Sequence, residues 1–258
     1  RYGLSPVIPE VPFRAVMERI RQVIADIAPH DSVERYRGLG VDVRQGTARI
    51  IDPWTVEIAG DAGTERLTTR SIVIAAGASP FVPPLPGLEK TGYLTSDTLW
   101  DAFAALDRAP ARMTILGGGP VGCELAQAFQ RLGSQVTLVE LAGRLLGRED
   151  PEVSEAVLAA LQEDGVDVRT GNRATEAGTT DGQAWVAVEG PQGAQRIAHD
   201  ALVVAVGRTA RLTGYGLDDL GIPTGRVVET NDYLETLYPN IYAAGDVAGP
   251  YQLTHAGA

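Results

Sequence analysis

The stretch Met113-Thr114-Ile115-Leu116-Gly117-Gly118-Gly119-Pro120-Val121-Gly122-Cys123-Glu124-Leu125-Ala126-Gln127-Ala128-Phe129 decides the reading of this chain. Four residues, Met113 to Leu116, form an apolar run that reads as a buried strand. Gly117, Gly119 and Gly122 then satisfy G-x-G-x-x-G, and the residues from Cys123 onward read as a helix. Gln135-Val136-Thr137-Leu138-Val139 reads as a second strand, and Glu140, 18 residues after Gly122, closes it. Strand, turn, helix, strand and acid in that order predict a dinucleotide-binding βαβ unit. Each glycine has its own reason. Gly117 permits the tight turn, Gly119 lets a pyrophosphate approach the backbone, and Gly122 lets the helix pack closely on the sheet. Pro120 and Val121 lie between them at the helix start, where free N–H groups and the helix dipole favour phosphate. A glycine-rich turn alone is a weak signal; the flanking strands and the acid are what raise it above an ordinary α/β turn.

Outside the motif, composition narrows the choices. The chain has 258 residues, enough for one large or two smaller domains with real cores. Its 44 % apolar and 21 % charged content fits a soluble globular protein. A net charge of −11 argues against a nucleic-acid surface. No apolar run has the length of a membrane span and no signal peptide is visible, so the expected compartment is the cytoplasm. With one cysteine, no intrachain disulfide is possible. His30 and His199 lack ligand spacing, and no metal site is expected. The chain starts at Arg1 without Met and stops at Ala258 in what reads as a helix start, so a fragment is expected.

Other segments read as follows. Residues 11–38 carry a helical pattern, with Val16, Ile20, Val23, Ile24 and Ile27 on one face. Pro29 breaks it, and Asp31-Ser32 is placed to cap a second short helix through Tyr36. Val41 to Val43 is expected as a short strand. Ala48–Ile51 and Thr55–Ile58 are expected as hairpin strands about Asp52-Pro53-Trp54. Ser71-Ile72-Val73-Ile74-Ala75 is an apolar strand running into Ala76-Gly77. The proline-rich Pro80-Phe81-Val82-Pro83-Pro84-Leu85-Pro86-Gly87 reads as an extended connector, with a domain boundary just after it. Thr95-Ser96-Asp97 starts a helix through Leu99–Leu106. Asp150-Pro151 is expected to start another over 152–162. Val166–Val168 is a third strand, and residues 171–199 alternate as an antiparallel meander. Ala201–Val206 is a buried strand ending at Gly207-Arg208. Asn240-Ile241-Tyr242-Ala243-Ala244 is a strand ending in Gly245-Asp246.

The order of these pieces resembles the FAD-dependent pyridine nucleotide-disulfide oxidoreductases: Ala75-Ala76-Gly77, a proline-rich connector, G-x-G-x-x-G-x-E, Val206-Gly207-Arg208, then Tyr242-Ala243-Ala244-Gly245-Asp246. Arg148-Glu149-Asp150-Pro151 and Pro250-Tyr251-Gln252-Leu253-Thr254-His255 resemble the mercuric reductase and dihydrolipoamide dehydrogenase branch. The resemblance implies an α/β fold in which a Rossmann-like NAD(P)-binding domain is inserted into a partial FAD-binding domain of the ββα type. Residues 1–90 and 216–258 then correspond to flavin-domain pieces, and 91–215 to the inserted domain. It also implies an intact homodimer joined by a C-terminal domain. Three family features are not in these 258 residues: a glycine motif for FAD before Gly117, a C-x4-C redox pair, and a C-terminal His-Glu pair. The chain therefore resembles a middle fragment.

The same resemblance supplies roles. Glu124 faces the nicotinamide amide and a flavin-domain lysine; from sequence alone it is a favourable charge in the first helical turn. Asp246 bonds the flavin ribitol, with Gly245 permitting close approach; alone it is a turn aspartate. Thr254 and His255 begin a helix at the flavin pyrimidine edge, where backbone N–H groups stabilise negative charge. Glu140 is placed to accept from the adenosine ribose hydroxyls and to repel a 2′-phosphate, which favours NADH over NADPH. Arg144 and Arg148 complicate this, because either is a potential 2′-phosphate ligand. Cys123 reads as a small packing residue without a partner.

The leading expectation is hydride transfer from NADH to FAD and onward to a disulfide or metal ion in the intact protein. One alternative is an NADH oxidase or ferredoxin-reductase type without redox cysteines. Another is a nucleotide-binding module with no catalysis.

Overall fold

The computed structural model describes residues 11–249. These fall into two compact units: 11–27 with 80–207, and 28–79 with 208–249. The described residues begin with α1 (Phe13–Ile27), which belongs to the larger unit, a 3-10 turn (Ala28–Asp31) and α2 (Val33–Gly38). Ser32 caps α2, its hydroxyl accepting from the Arg35 N–H at 3.2 Å.

The smaller unit continues with an antiparallel meander, β1 (Thr47–Asp52), β2 (Thr55–Gly60) and β3 (Gly63–Thr68). Two of these strands are legible in the sequence. The third, Gly63-Thr64-Glu65-Arg66-Leu67-Thr68, is polar and mostly exposed, so it shows no alternation. The expected strand at Val41–Val43 does not form: the Val41 N–H turns back to the Tyr36 carbonyl at 3.0 Å, and the Asp42 carboxylate is held by Arg44. After β4 (Ile72–Ile74) and β5 (Ala78–Pro80) the chain enters the larger unit.

There α3 (Leu88–Thr91) and α4 (Leu99–Phe103) lead into β6 (Arg112–Leu116), α5 (Pro120–Arg131), β7 (Gln135–Val139), α6 (Pro151–Glu163) and β8 (Asp167–Arg169). The meander β9 (Arg173–Thr180), β10 (Gln183–Gly190) and β11 (Gly193–Ala198) precedes β12 (Ala201–Val204). Four strands form a parallel sheet in the order β12-β6-β7-β8, with Ala201 opposite Met113 and Val204 opposite Leu116. Alternation divides this sheet between two cores. Met113, Ile115, Leu138 and Val203 pack with α1, α4, α5 and α6, whereas Leu116, Val139, Leu202 and Val204 pack against the meander through Val186 and Val188. Burial on both faces is why β12 reads as an unbroken apolar run.

The seam of α1 differs from the expected one. Phe13 and Met17 are buried and Val16 and Ile20 pack beside them, but Val23, Ile24 and Ile27 are exposed. Three rings fix this end of the helix: Phe13 lies 6.4 Å from Phe103 and 6.3 Å from Phe129, and Phe103 lies 5.5 Å from Phe129. α1 thereby joins the larger unit, and not the piece 1–90. The proline-rich connector joins it too. The Ala177 N–H donates to the Pro86 carbonyl at 2.8 Å, and Val82 and Leu85 pack on the meander core. The compact units therefore divide at 79/80 and 207/208, whereas the expected boundaries were 90/91 and 215/216. The helix expected through Leu106 is shorter, ending at Phe103.

Back in the smaller unit are β13 (Arg208–Ala210), β14 (Ile241–Ala243) and a 3-10 turn (Gly245–Val247). β14 runs parallel to β4, with Tyr242 opposite Val73, so residues 72 and 115 lie in different sheets. Its core gathers Ile50, Ile74, Leu217, Val228, Ile241 and Val247.

Candidate dinucleotide site

The turn after β6 needs its glycines for different reasons. Gly117 has φ +107, and a Cβ there would lie 2.3 Å from the Ala205 carbonyl oxygen. Both the left-handed backbone and the clash exclude a side chain. At Gly122, in the first turn of α5, a Cβ would lie 1.9 Å from the Gly117 carbonyl oxygen, so the helix can sit this close to the turn only with glycine. Gly119 is the opposite case. Its φ of −76 suits any residue, and nothing lies within 4 Å of a Cβ built there. The chain's own packing leaves this space open, directly before the helix. Pro120 occupies the first position of α5, where its missing N–H is not needed. The Cys123 N–H bonds to the Gly119 carbonyl at 3.0 Å, which leaves the N–H groups of Val121 and Gly122 without intrahelical acceptors. Val121 is exposed.

Glu140 is anchored on both oxygens. Oε2 accepts from the Gly118 N–H at 2.5 Å and Oε1 from the Ala142 N–H at 2.6 Å. Each oxygen keeps a further lone pair for a hydroxyl donor. Gly118 is also tightly set, since a Cβ there would meet Leu145 and the Glu140 side chain. The Gly118 carbonyl accepts from the Leu146 N–H at 2.8 Å, so residues 141–150 fold back onto the glycine turn. Leu145 anchors that segment in the core, and its carbonyl accepts from Ser154 Oγ at 2.7 Å. Asp150 takes the N-cap position of α6 without a side-chain bond to it.

Of the two arginines named above, Arg144 is half-buried and donates to two loop carbonyls, while Arg148 is exposed. Glu124 is exposed on α5, and it lies one turn further along than the sequence suggested: α5 starts at Pro120, so Glu124 is beyond the first turn. The dipole argument for it weakens accordingly. Cys123 is buried, and burial foremost, then the Glu140 and Glu124 charges, pushes its thiol up to about 11. It is a protonated packing residue with no role as a nucleophile. Gly207 has φ +129 just past β12, and its carbonyl accepts from the Phe81 N–H at 2.9 Å.

In the smaller unit, Ala76 packs at the edge of the core, and Gly77 has φ +68 with its carbonyl accepting from the Arg211 N–H at 3.0 Å. Gly245 has φ +74. Asp246 is half-buried, with one carboxylate oxygen 3.6 Å from Arg208 Nε. The Ala244 N–H joins this strand end to β4 through the Ile74 carbonyl at 3.0 Å. Thr254 and His255 lie outside the described residues.

These residues fit a dinucleotide in the larger unit: open space at Gly119, free N–H groups at the start of a 12-residue helix, and a fixed carboxylate. The fit to a flavin in the smaller unit is partial. Gly245 and Asp246 supply a close-approach backbone and a carboxylate, but among the described residues no glycine turn there leads into an α-helix. Among the described residues no group of three or more His, Cys, Asp or Glu could hold a metal ion, and no helix is long and apolar enough to cross a membrane. Sequence reasoning missed the clasp at 141–150, because backbone hydrogen bonds in an irregular segment leave no periodic trace.

Residues 6–258 match the pyridine nucleotide-disulphide oxidoreductase family. The chain is 34 % identical to a mercuric reductase of Lysinibacillus sphaericus over 99 % of its own length and 46 % of that protein. It is 36 % identical to a dihydrolipoyl dehydrogenase of Bacillus subtilis, over 84 % of this chain and 46 % of the other. The structure superposes on the HOCl-induced flavoprotein disulfide reductase RclA from Escherichia coli with a TM-score of 0.81 and 28 % identity, covering 96 % of this chain and 55 % of that one. The chain spans about half the length of these relatives. With the family match running through the glycine turn, Glu140 and the Gly245-Asp246 strand end, this chain belongs to the pyridine nucleotide-disulphide oxidoreductase family.

Proposed function

We propose that the intact protein transfers hydride from NADH to FAD and passes the electrons to a disulfide or metal-ion acceptor. The observation that carries this reading is the open glycine turn beside a doubly anchored Glu140. FAD, when bound, supplies the hydride acceptor and the outlet for electrons. The larger unit holds the nicotinamide dinucleotide. Gly119 and the free N–H groups of Val121 and Gly122 hold its pyrophosphate, and Glu140 accepts from the adenosine ribose hydroxyls. A 2′-phosphate would bring negative charge against that carboxylate, so NADH binds more tightly than NADPH. Exposed Glu124 orients the nicotinamide end. The smaller unit contributes Asp246 and Gly245 to the flavin ribitol, with Ala76 and Gly77 past the end of the neighbouring strand β4; Gly207, past β12, is the larger unit's contribution to cofactor binding.

The 258 residues alone contain one cysteine, and that one is buried with a raised thiol pKa. We therefore expect the chain by itself to lack disulfide or mercuric-ion turnover with NADH, even with added FAD. In the intact protein, relay thiols, the flavin-pyrophosphate turn and a dimerisation domain belong to other segments. Because Cys123 serves no relay, a route without redox cysteines, as in NADH oxidases, is the second reading. Two assays test the proposal. Titration of this chain should give NADH at least about tenfold tighter than NADPH, a difference of about 1.4 kcal/mol. Turnover of a disulfide substrate by this chain at about 1 per second or faster would overturn the division of labour.

A further inference from the structure

Residues 141–150 have no regular secondary structure, yet they are pinned at almost every turn. The Ala142 N–H reaches Glu140 and the Ala142 carbonyl accepts from Gly171 at 2.7 Å. The Leu146 N–H reaches Gly118, and Leu146 itself holds φ +47, a left-handed conformation that costs a leucine about 1–2 kcal/mol. Something must keep that turn closed. The half-buried Arg144 guanidinium does so: Nη1 donates to the Glu149 carbonyl and Nη2 to the Gly147 carbonyl, each at 2.8 Å. One planar fork thus spans the turn from both sides of Arg148.

We infer that Arg144 is a positioning residue for dinucleotide selectivity: it acts through the loop to hold Glu140 toward the ribose, and is not a 2′-phosphate ligand. This rests on the NADH reading given above. Two of its five N–H donors are spent on the chain's own carbonyls, which hold the guanidinium against the turn. Releasing them loosens the turn at Leu146, whose N–H holds the Gly118 carbonyl, and the Gly118 N–H in turn fixes one oxygen of Glu140. The carboxylate then turns away, and NADH loses an acceptor on which NADPH does not rely.

The two roles for Arg144 predict opposite signs. Dissociation constants for NADH and NADPH are measured by calorimetry on the chain, Glu140→Ala, Arg144→Gln and Arg144→Lys. The inference expects Arg144→Gln to weaken NADH and narrow its advantage over NADPH by about tenfold, the worth of one charge-assisted hydrogen bond. Arg144→Lys keeps the charge but not the fork, and should narrow it similarly. It also serves as the readout if thermal melting shows Arg144→Gln to be unfolded. A selective loss of NADPH in either variant, or equal changes for both nucleotides, overturns the inference. If the unaltered chain prefers NADPH, the underlying reading fails and the inference with it. If Glu140→Ala narrows the preference and both Arg144 variants leave it intact, only the role of Arg144 fails.

Discussion

The strand ends at Gly117 and at Gly77 look alike in sequence, each an apolar strand running into glycine, but the structure treats them differently. At Gly117 the surrounding chain fills every direction but one. Carbonyl oxygens of Ala205 and Gly117 stand where Cβ atoms of Gly117 and Gly122 would go, and only Gly119 faces open space. At Gly77 nothing lies within 4 Å of a Cβ, and only the φ of +68 calls for glycine. The first turn is a finished socket with one opening. The second is shaped by backbone alone. Glycine therefore stands here in three separate settings, namely a left-handed backbone, tight internal packing and open space, and a motif pattern does not distinguish them.

Substitutions can break that distinction. The largest effect is expected for Gly122→Ala, where the new methyl group lies against the Gly117 carbonyl. It should cost about 3 kcal/mol of stability, seen as an earlier urea midpoint with the slope unchanged. Gly119→Val should do the reverse, with melting nearly unchanged and NADH affinity lowered by about 2 kcal/mol or more, some thirtyfold. If the melt falls as for Gly122→Ala, the space at Gly119 is not open to a ligand. Gly77→Ala should cost only about 1 kcal/mol, for its backbone conformation, with no change in NADH affinity by titration. The smallest effect concerns Cys123. The folded state holds its proton more tightly than the unfolded chain, because its pKa is raised to about 11. This contribution is whole below the ordinary thiol range, near 8.5, and is lost as pH rises through about 11. The stability difference between the chain and Cys123→Ala should narrow over that span in urea titrations at stepped pH; a constant difference would show a thiol that titrates normally.

The same contrast marks what could be read from residues alone. Strands such as β6 and β7 are short and apolar, flanked by turn residues, and their bounds follow from pattern to within a residue, whereas β12 ends at Val204, two residues before the expected Val206. β3 and β13 are polar pieces whose pairing is decided by neighbours, and they left no signal. On α1 the pattern identified a helix but not its burial. It weighted the aliphatic residues at 23, 24 and 27, while the aromatic contacts of Phe13 decide which end is covered. In the candidate site, the strand, turn and helix that carry Gly117, Gly119, Gly122 and Glu140 could be read because their spacing is local. The double anchoring of Glu140 and the commitment of Arg144 were not, since both depend on where an irregular segment returns.

The aromatic contacts of α1 bear on how this part of the protein can be handed on or re-used. Phe13 belongs to the same core as Phe103 and Phe129, yet some fifty residues of the other unit, 28–79, intervene between that helix and the rest of its unit. A gene segment encoding 80–207 alone would leave Phe103 and Phe129 with one face uncovered. The larger unit is therefore not portable as one contiguous piece: recombination, or a designer, must carry the distant helix along or supply a substitute for it.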